Sequence, residues 1–77
     1  MPRAFMVINV ESGSEDEVLR ELKGIKGVEE AYSVYGAYDI ITKIKADTME
    51  QLKEMVTRQV RALLKVRSTL TLIMMEE

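Results

Sequence analysis

The residues best suited to binding a ligand form a short turn, Gly36-Ala-Tyr-Asp39, between two runs typical of β-strands. A glycine, an aromatic residue and a carboxylate at a strand-to-strand turn can place an anionic acceptor beside backbone amides. Such a turn can hold a small zwitterion, with the ligand's ammonium at the carboxylate and the ligand's carboxylate at the amides. The turn is therefore the candidate ligand site.

The same turn also has a purely structural interpretation. Gly36 is typical of a turn residue with positive φ, and Asp39 can satisfy backbone amides of its own hairpin. Residue types alone leave both interpretations open.

Composition excludes several classes of function. The 77-residue chain has a formal charge of −2, interspersed acidic and basic residues, no cysteine and no histidine. No strong field therefore attracts nucleic acid or a charged membrane, and the usual metal ligands and the usual neutral-pH proton carrier are missing. We expect no metal, no cofactor and no enzymatic activity. The apolar runs are shorter than the roughly 20 residues of a membrane span, and Met1-Pro-Arg3 does not resemble a signal peptide, so we expect a cytoplasmic protein.

Six elements account for nearly the whole chain. Four apolar runs predict strands at Ala4–Val10, Val28–Tyr35, Ile40–Ala46 and Arg67–Met75. A capping box at Ser14–Glu17 predicts a first helix from about Glu15 to Lys23, ended by left-handed Gly24 and Gly27.

A second helix is predicted after a similar capping box at Asp47–Glu50. Its apolar residues recur at three- and four-residue intervals: Met49, Leu52, Val56, Val60 and Leu63. The order is then strand, helix, strand, strand, helix, strand, and two right-handed crossovers place both helices on one side of an antiparallel sheet. We therefore predict an α+β, ferredoxin-like βαββαβ sandwich in a single domain over residues 1–77.

Both faces of this sheet are predicted to be apolar. The first strand carries Phe5 and Val7 on one face and Met6, Ile8 and Val10 on the other. Each such side chain gains on the order of 1.5–3 kcal/mol when buried, so a face left in water is costly. We expect a second copy to cover it in a two-fold homodimer, unless the carboxyl-terminal tail folds over the face. The predicted interface residues are Phe5, Val7, Ile41, Ile73 and Met75.

Three segments resemble the effector domain of Lrp/AsnC transcription regulators, known as RAM for regulation of amino acid metabolism. They are Ala4–Glu11, Gly36–Ile41 and Arg67–Ile73, and the similarity extends over essentially the whole chain. In that family the domain follows a helix-turn-helix, dimerises through its sheet, and assembles dimers into rings that bind amino acids between dimers. Because the first strand begins near residue 4, we expect a stand-alone module without the DNA-reading helices.

The resemblance implies an effector pocket between this turn and the start of a neighbouring subunit's last strand. The implied ligand-binding residues are Tyr35, Gly36, Ala37, Tyr38, Asp39, Ser68, Thr69 and Thr71. Asp39 would pair with an α-ammonium group, while the turn amides and a Ser68 or Thr69 hydroxyl would donate to an α-carboxylate. In this chain Lys65 stands before the last strand, where the family often has a glycine.

The resemblance also implies partners. They are a free amino acid as effector, a homodimer that assembles into a higher oligomer such as an octamer or decamer, and full-length regulators of the same family. The module would then modulate transcription by mixed assembly, with no direct contact to nucleic acid or membrane.

Other interpretations remain open at this stage. An ACT-like amino-acid-binding domain shares the element order but binds its ligand at the loop after the first strand, here Glu11–Ser14. A dimeric ferredoxin-like enzyme is a third interpretation, although no acid and base pair at a telling spacing. Two groups of residues could suggest nucleic-acid binding, but a structural role is favoured for each. Arg58, Arg61 and Lys65 lie near the end of a helix, where positive charge is favourable. Tyr32, Tyr35 and Tyr38 surround the hairpin, where tyrosines commonly cover sheet or interface surface.

Overall fold

The four apolar runs of the sequence form the strands of one sheet. The computed structural model describes residues 1–75. It contains strands β1 (Arg3–Val10), β2 (Val28–Ser33), β3 (Ile40–Lys45) and β4 (Val66–Ile73), and helices α1 (Glu15–Lys23) and α2 (Met49–Glu54), the latter continued by a π-helical segment, Met55–Val60. All pairs are antiparallel in the sheet order β2-β3-β1-β4. The predicted ferredoxin-like βαββαβ fold is confirmed.

The core lies between one face of the sheet and the two helices. The central strands β1 and β3 alternate strictly, and every second residue of each is buried. Val18 and Leu22 of α1 and Leu52 of α2 are fully buried against them. Thr42 of β3 is buried as well, and its hydroxyl donates to the Glu30 carbonyl oxygen at 2.7 Å. That bond satisfies a polar group that would otherwise be costly to bury.

The two predicted capping boxes differ in outcome. At α2 the Thr48 hydroxyl accepts from the Gln51 amide (3.1 Å), and the Gln51 side chain accepts from the Asp47 amide (3.2 Å). The box is therefore Thr48–Gln51, one residue later than predicted. At α1, Ser14 takes the capping position but makes no side-chain hydrogen bond, because its backbone (φ −102°, ψ 7°) is not extended as capping requires.

The second helix was predicted to be α-helical throughout, but only its first part, Met49–Glu54, is. After Glu54 the backbone widens, and the Arg61 amide donates to the Val56 carbonyl five residues earlier, at 3.2 Å. A π-helical turn places residues five apart on one face, so Met55 and Val60 both reach the core.

A close approach at Gly27 joins the turn after α1 to the π-helical segment. Gly27 has φ +100°, whereas Gly24 is right-handed (φ −84°), so of the two predicted left-handed conformations only that of Gly27 is present. A Cβ atom built on Gly27 would lie 2.6 Å from Met55 Cε and 2.8 Å from the Lys45 carbonyl oxygen. The position therefore requires a glycine for both conformation and space.

The sheet face opposite the helices carries an apolar row that crosses all four strands; we call it the open face. The pairing register aligns Tyr32, Ile41, Val7 and Leu70 in one row, and places Phe5 beside Leu72 in the next. Leu70 is 48% exposed and Leu72 53% exposed. Both faces of β1 are thus apolar, as predicted.

The register corrects part of the predicted interface. Ile73 pairs with Ala4, which is fully buried under the helices, so Ile73 lies on the helix-covered side, and Met75 follows the end of β4. On the open face, the exposed apolar residues of β4 are instead Leu70 and Leu72. The apolar residues of β4 occur on both sides, so sequence alternation did not determine which side faces the helices. A register shift between Asn9 and Val10 also separates Ser68 from Val66 in the pairing.

One corner of the open face is charged. Glu29, at a bulge in β2, contacts Arg3 (3.4 Å) and Lys45 (3.5 Å), and Lys43 Nζ lies 5.9 Å from the centre of the Phe5 ring. At the neighbouring edge the Tyr32 hydroxyl donates to Glu30, and this hydrogen bond raises the pKa of Tyr32. The apolar row therefore has a polar rim on its β2 side.

Substitution of Gly27 tests the close approach. We expect Gly27→Ala to lower the free energy of unfolding by roughly 2–4 kcal/mol, because it adds backbone strain to a steric clash. Gly36→Ala is the matched control: Gly36 also has positive φ, but open space surrounds its Cβ position, so only strain of roughly 1–2 kcal/mol is expected. Urea unfolding measures both. Equal losses in the two variants would contradict the predicted clash.

Candidate functional site

Three connections meet at the end of the sheet where β1 finishes. They are the β1–α1 loop, the β2–β3 turn and the segment between the π-helical turn and β4. The Glu11 amide donates to the Lys65 carbonyl (2.9 Å), and the Asp39 amide donates to the Ile8 carbonyl (3.0 Å). The two sequence-based candidate sites, the turn at Asp39 and the loop Glu11–Ser14, therefore lie at the same end of the molecule.

Asp39 makes three hydrogen bonds, two that attach the β2–β3 turn to β1 and one within the turn itself. Besides its amide bond to Ile8, its carbonyl accepts from the Val34 amide (2.9 Å) and its carboxylate Oδ2 accepts from the Val10 amide (2.9 Å). The carboxylate thus satisfies an amide of another strand rather than of its own hairpin. An ionised acceptor makes this a charge-assisted bond, so Asp39 has a structural role whatever else it binds.

The rest of the turn projects into solvent. Gly36 has φ +134°, as the positive φ of the structural interpretation required, and a Cβ atom there would meet nothing within 4 Å. The Tyr35 side chain is fully exposed, and Tyr38 is half-buried. An aromatic ring held in water beside a carboxylate is a surface available for contact.

Asp39 lines two cavities. The first, which we call the acidic cavity, has a volume of about 320 Å³ and is lined by Glu15, Ser33, Val34, Tyr35 and Asp39. The second, the arginine cavity, also has about 320 Å³ and is lined by Asn9, Val10, Asp39, Arg67 and Ser68. Each falls at the lower end of the size range of small-molecule sites.

The predicted ligand-binding residues separate into three groups. Tyr35, Asp39 and Ser68 line the cavities. Gly36, Ala37 and Tyr38 belong to the turn but line neither cavity. Thr69 and Thr71 pair with the buried Ile8 and Met6, so the register places them on the helix-covered side, away from the cavities.

The start of β4 reaches Asp39 within a single subunit. The resemblance implied that a neighbouring subunit supplies this strand, whereas Arg67 and Ser68 of the same chain line the arginine cavity here. The Asn9 side chain donates to the Ser68 hydroxyl at 3.3 Å, which holds that hydroxyl beside the end of β1.

Six cavity residues were missed by the sequence analysis: Asn9, Val10, Glu15, Ser33, Val34 and Arg67. They come from several separate elements, so only the tertiary fold brings them together. Arg67 had a usable signal, because the residue that follows it, Ser68, was already implied in binding.

The arrangement around Asp39 provides opposite charges for a zwitterion. Arg67 offers a planar guanidinium that can bind a carboxylate in bidentate fashion, and Asp39 can accept from an ammonium group. Hydroxyl and amide groups of Ser68 and Asn9 add neutral hydrogen-bonding capacity. This combination supports recognition of an α-amino acid backbone.

A larger cavity, of about 500 Å³, lies at the opposite end of β3, where charged and glutamine side chains line it together with Gly27 and Met55. Within residues 1–75 no cluster of three acidic side chains is arranged to hold a metal ion. In the same range, no helix has both the length and the apolarity that crossing a bilayer demands.

Comparison with known proteins identifies the same kind of domain. The family described as the Lrp/AsnC ligand binding domain matches residues 3–77. The crystal structure of FFRP-DM1 superposes with a TM-score of 0.94 at 36% identity, over 97% of this chain and 100% of that one. E. coli AsnC superposes with a TM-score of 0.90 at 25% identity, over 99% of this chain and 52% of AsnC.

Two further similarities are more distant. A Neisseria meningitidis transcriptional regulator, solved in complex with L-Met, has a TM-score of 0.84 at 13% identity over 99% of this chain and 51% of its own; this likeness concerns the fold alone. Homocitrate synthases of Saccharolobus islandicus and Saccharolobus solfataricus are 37% identical over 60 residues. That match covers 78% of this chain, but the chain spans only 13% of the enzyme's length.

Removal of the Asp39 carboxylate tests its structural role. We expect Asp39→Ala to cost roughly 1–3 kcal/mol of unfolding free energy, because it leaves the part-buried Val10 amide without its acceptor. Asp39→Asn keeps an oxygen at the same place and should cost less than about 1 kcal/mol. Chemical unfolding followed by circular dichroism compares the two. If Asp39→Asn lowered the unfolding free energy as much as Asp39→Ala, the charge of Asp39, and not its hydrogen bond, would hold the turn.

Proposed function

Because the chain belongs to the Lrp/AsnC ligand-binding domain family, we propose that it is a regulatory module that senses a free amino acid at the Asp39 end of the sheet. The observation that carries this proposal is that Asp39 lines two cavities, one of which Arg67 also lines. The α-ammonium of the ligand contacts Asp39, and its α-carboxylate contacts Arg67 and Ser68. The likeness in fold to a regulator crystallised with L-Met supports an amino acid as the effector class.

The module assembles through the open face. A four-strand apolar row costs free energy in water, and a second copy related by a two-fold axis buries the same row on both partners. In this proposal Phe5, Val7, Ile41, Leu70 and Leu72 form the interface. Pairs of subunits then join into a larger ring, an octamer or a decamer, whose size responds to the effector.

The regulatory output is indirect. The formal charge of −2 provides no field for the DNA backbone. We propose that the module acts in the cytoplasm by mixed assembly with full-length regulators of its family, and that it has no enzymatic activity of its own.

A second candidate output is control of a biosynthetic enzyme. The match to homocitrate synthase shows that a segment similar to this chain occurs within a much larger enzyme. A module of this kind can therefore regulate an enzyme in place of a DNA-binding domain. Saturable binding of the labelled chain to the synthase, but not to a full-length Lrp/AsnC regulator from the same cell, would favour this candidate.

Neutralising Asp39 tests the sensing proposal. We expect Asp39→Asn to weaken amino-acid binding roughly 10- to 100-fold, because a charge-assisted hydrogen bond to the α-ammonium becomes a neutral one. Calorimetric titration with each of the common amino acids measures this. Glu11→Gln removes an exposed carboxylate from the neighbouring loop and serves as the control. Loss of binding in Gly13→Ala but not in Asp39→Asn would move the site to the ACT-like loop.

A charge placed in the apolar row tests the assembly. We expect Leu70→Asp to weaken the dimer at least about 100-fold, because an unpaired carboxylate would be buried against the partner. Leu64→Asp makes the same change at a side chain that is 90% exposed and lies off the open face, so its dimer should persist. Sedimentation velocity distinguishes the two. A wild-type chain that stays monomeric at high concentration would exclude the proposed interface.

A further inference from the structure

The two edges of the sheet differ in how they resist the addition of another strand. Among residues 1–75, β2 forms one edge of the sheet and β4 forms the other. The β2 edge carries Glu29 and Glu30 and has a register irregularity between Val28 and Glu30. Charged side chains and bulges are common means by which a sheet edge avoids pairing with another chain. The β2 edge is therefore protected.

The β4 edge lacks this protection over most of its length. Its pairing with β1 is regular from Ser68 to Ile73, and the register shift lies near Arg67, at the start of the strand. From Ser68 to Met75 the sequence contains no charged residue and no proline. No residue of β4 is buried in the single subunit. A long, regular and uncharged edge of this kind is a template for pairing with another strand.

The outward-facing backbone groups of β4 follow from its pairing with β1. The Met74 amide donates to the Arg3 carbonyl oxygen at 2.9 Å. In an antiparallel ladder, successive residues direct their amides and carbonyls alternately toward this neighbour and away from it. The residues of β4 whose amides and carbonyls point away from β1 are therefore Thr69, Thr71 and Ile73.

We propose that β4 pairs antiparallel with β4 of a second copy, about a two-fold axis at Thr71, and so joins two four-stranded sheets into one continuous sheet. Thr71 is the middle one of the three outward-facing residues, so this register uses all of them. Thr71 lies opposite the partner's Thr71, and Thr69 lies opposite the partner's Ile73. The contact is self-complementary and closed, as a two-fold interface requires.

The side chains match in this register on both sides of the sheet. On the open face, Leu70 lies beside the partner's Leu72, and symmetry repeats this pair, so the apolar face continues across the junction. On the helix-covered side the two Thr71 side chains meet, and threonine pairs across neighbouring strands are favourable.

Charge favours antiparallel over parallel pairing. Arg67 places a cation at the start of β4, whereas the sequence continues after Met75 with Glu76 and Glu77. Antiparallel pairing directs Arg67 of each copy toward the acidic end of its partner. Parallel pairing would place the two Arg67 side chains together, and like charges directly opposite each other are destabilising.

The edge contact is separate from the open-face contact. It uses backbone groups of β4 alone, whereas the open-face contact buries side chains of all four strands. A subunit with two different two-fold contacts can alternate them around a closed ring. The place of edge pairing in such a ring rests on the proposed function, but the contact itself requires neither the ring nor an amino acid.

A proline at the centre of the edge tests the backbone contact. Thr71→Pro removes an amide that points away from the sheet, which is where an edge strand tolerates proline. We expect this variant to weaken edge pairing at least about ten-fold, as measured by sedimentation velocity of the full 77-residue chain. Thr71→Val is the matched control, because it keeps both the amide and the β-branched shape, so its assembly should equal that of the wild type.

A second variant separates the two contacts. Ile41 lies in the apolar row of the open face, on β3, which is not an edge strand. We expect Ile41→Asp to leave an edge-paired dimer, and its combination with Thr71→Pro to give monomers. Monomers from Ile41→Asp alone, with a native circular dichroism spectrum, would overturn edge pairing.

A cysteine cross-link tests the register without altering the backbone. The chain contains no cysteine, so Thr71→Cys introduces a single thiol. Opposite residues that exchange both backbone hydrogen bonds have Cα atoms about 5.5 Å apart, within the range that a disulfide spans. We expect oxidised Thr71→Cys to run as a covalent dimer in a denaturing gel. Leu64→Cys, at an exposed residue before β4, should run as a monomer.

The outcomes separate this inference from the proposed function. If Thr71→Cys forms no cross-link and Thr71→Pro keeps the wild-type mass, edge pairing is overturned, while sensing and the open-face contact stand. A cross-link between Thr71→Cys and Glu30→Cys chains in a mixture, in place of the Thr71→Cys dimer, would show that β4 adds to β2 and would also overturn the proposal. If the Thr71→Cys dimer forms but calorimetry detects no amino-acid binding, sensing fails and edge pairing is supported.

Discussion

The main constraint on this structure is that both faces of the sheet are apolar, whereas the two helices cover only one of them. β1 is where this imbalance originates, because it lies in the middle of the sheet and contributes Ala4 and Met6 to the core and Phe5 and Val7 to the open face. A chain of this size gains limited stability from its own core, so a second hydrophobic contact has a large relative effect. The proposed association would cover the face that the helices leave exposed, and the polar rim around Glu29 bounds that face on one side.

At the candidate site, Asp39 has a structural role in addition to the binding role that is proposed for it. The Asp39 carboxylate accepts from the Val10 amide and so attaches the turn to β1. The position of the turn places Tyr35 and Asp39 in the lining of the acidic cavity. The two interpretations of Asp39 that residue types left open are thus compatible: the carboxylate has two oxygens, and the backbone bond engages Oδ2. The same end of the sheet also carries the loop after β1, which explains why an Lrp/AsnC-like site and an ACT-like site are difficult to distinguish from sequence.

Sequence patterns within each segment predicted the order of the elements correctly. Details that depend on contacts between distant segments were not predicted. Glu15–Lys23 and Ile40–Lys45 follow from periodicity and turn residues that lie within each segment. The cap at Thr48 was misplaced by one residue because adjacent polar side chains compete for it. Ile73 was assigned to the wrong face because β4 is apolar on both sides and its register depends on an irregularity opposite Asn9. The cavity residues Glu15 and Arg67 come from distant elements, so no spacing in the sequence connects them.

The attachment of Asp39 to β1 has a mechanical consequence. The Asp39 amide donates to the Ile8 carbonyl, and its carboxylate accepts from the Val10 amide. Val7, which precedes Ile8 in β1, lies in the apolar row of the open face. A strand that is hydrogen-bonded along both edges resists local bending. The proposed ligand contact at Asp39 and the proposed subunit contact at Val7 would therefore act on the same strand.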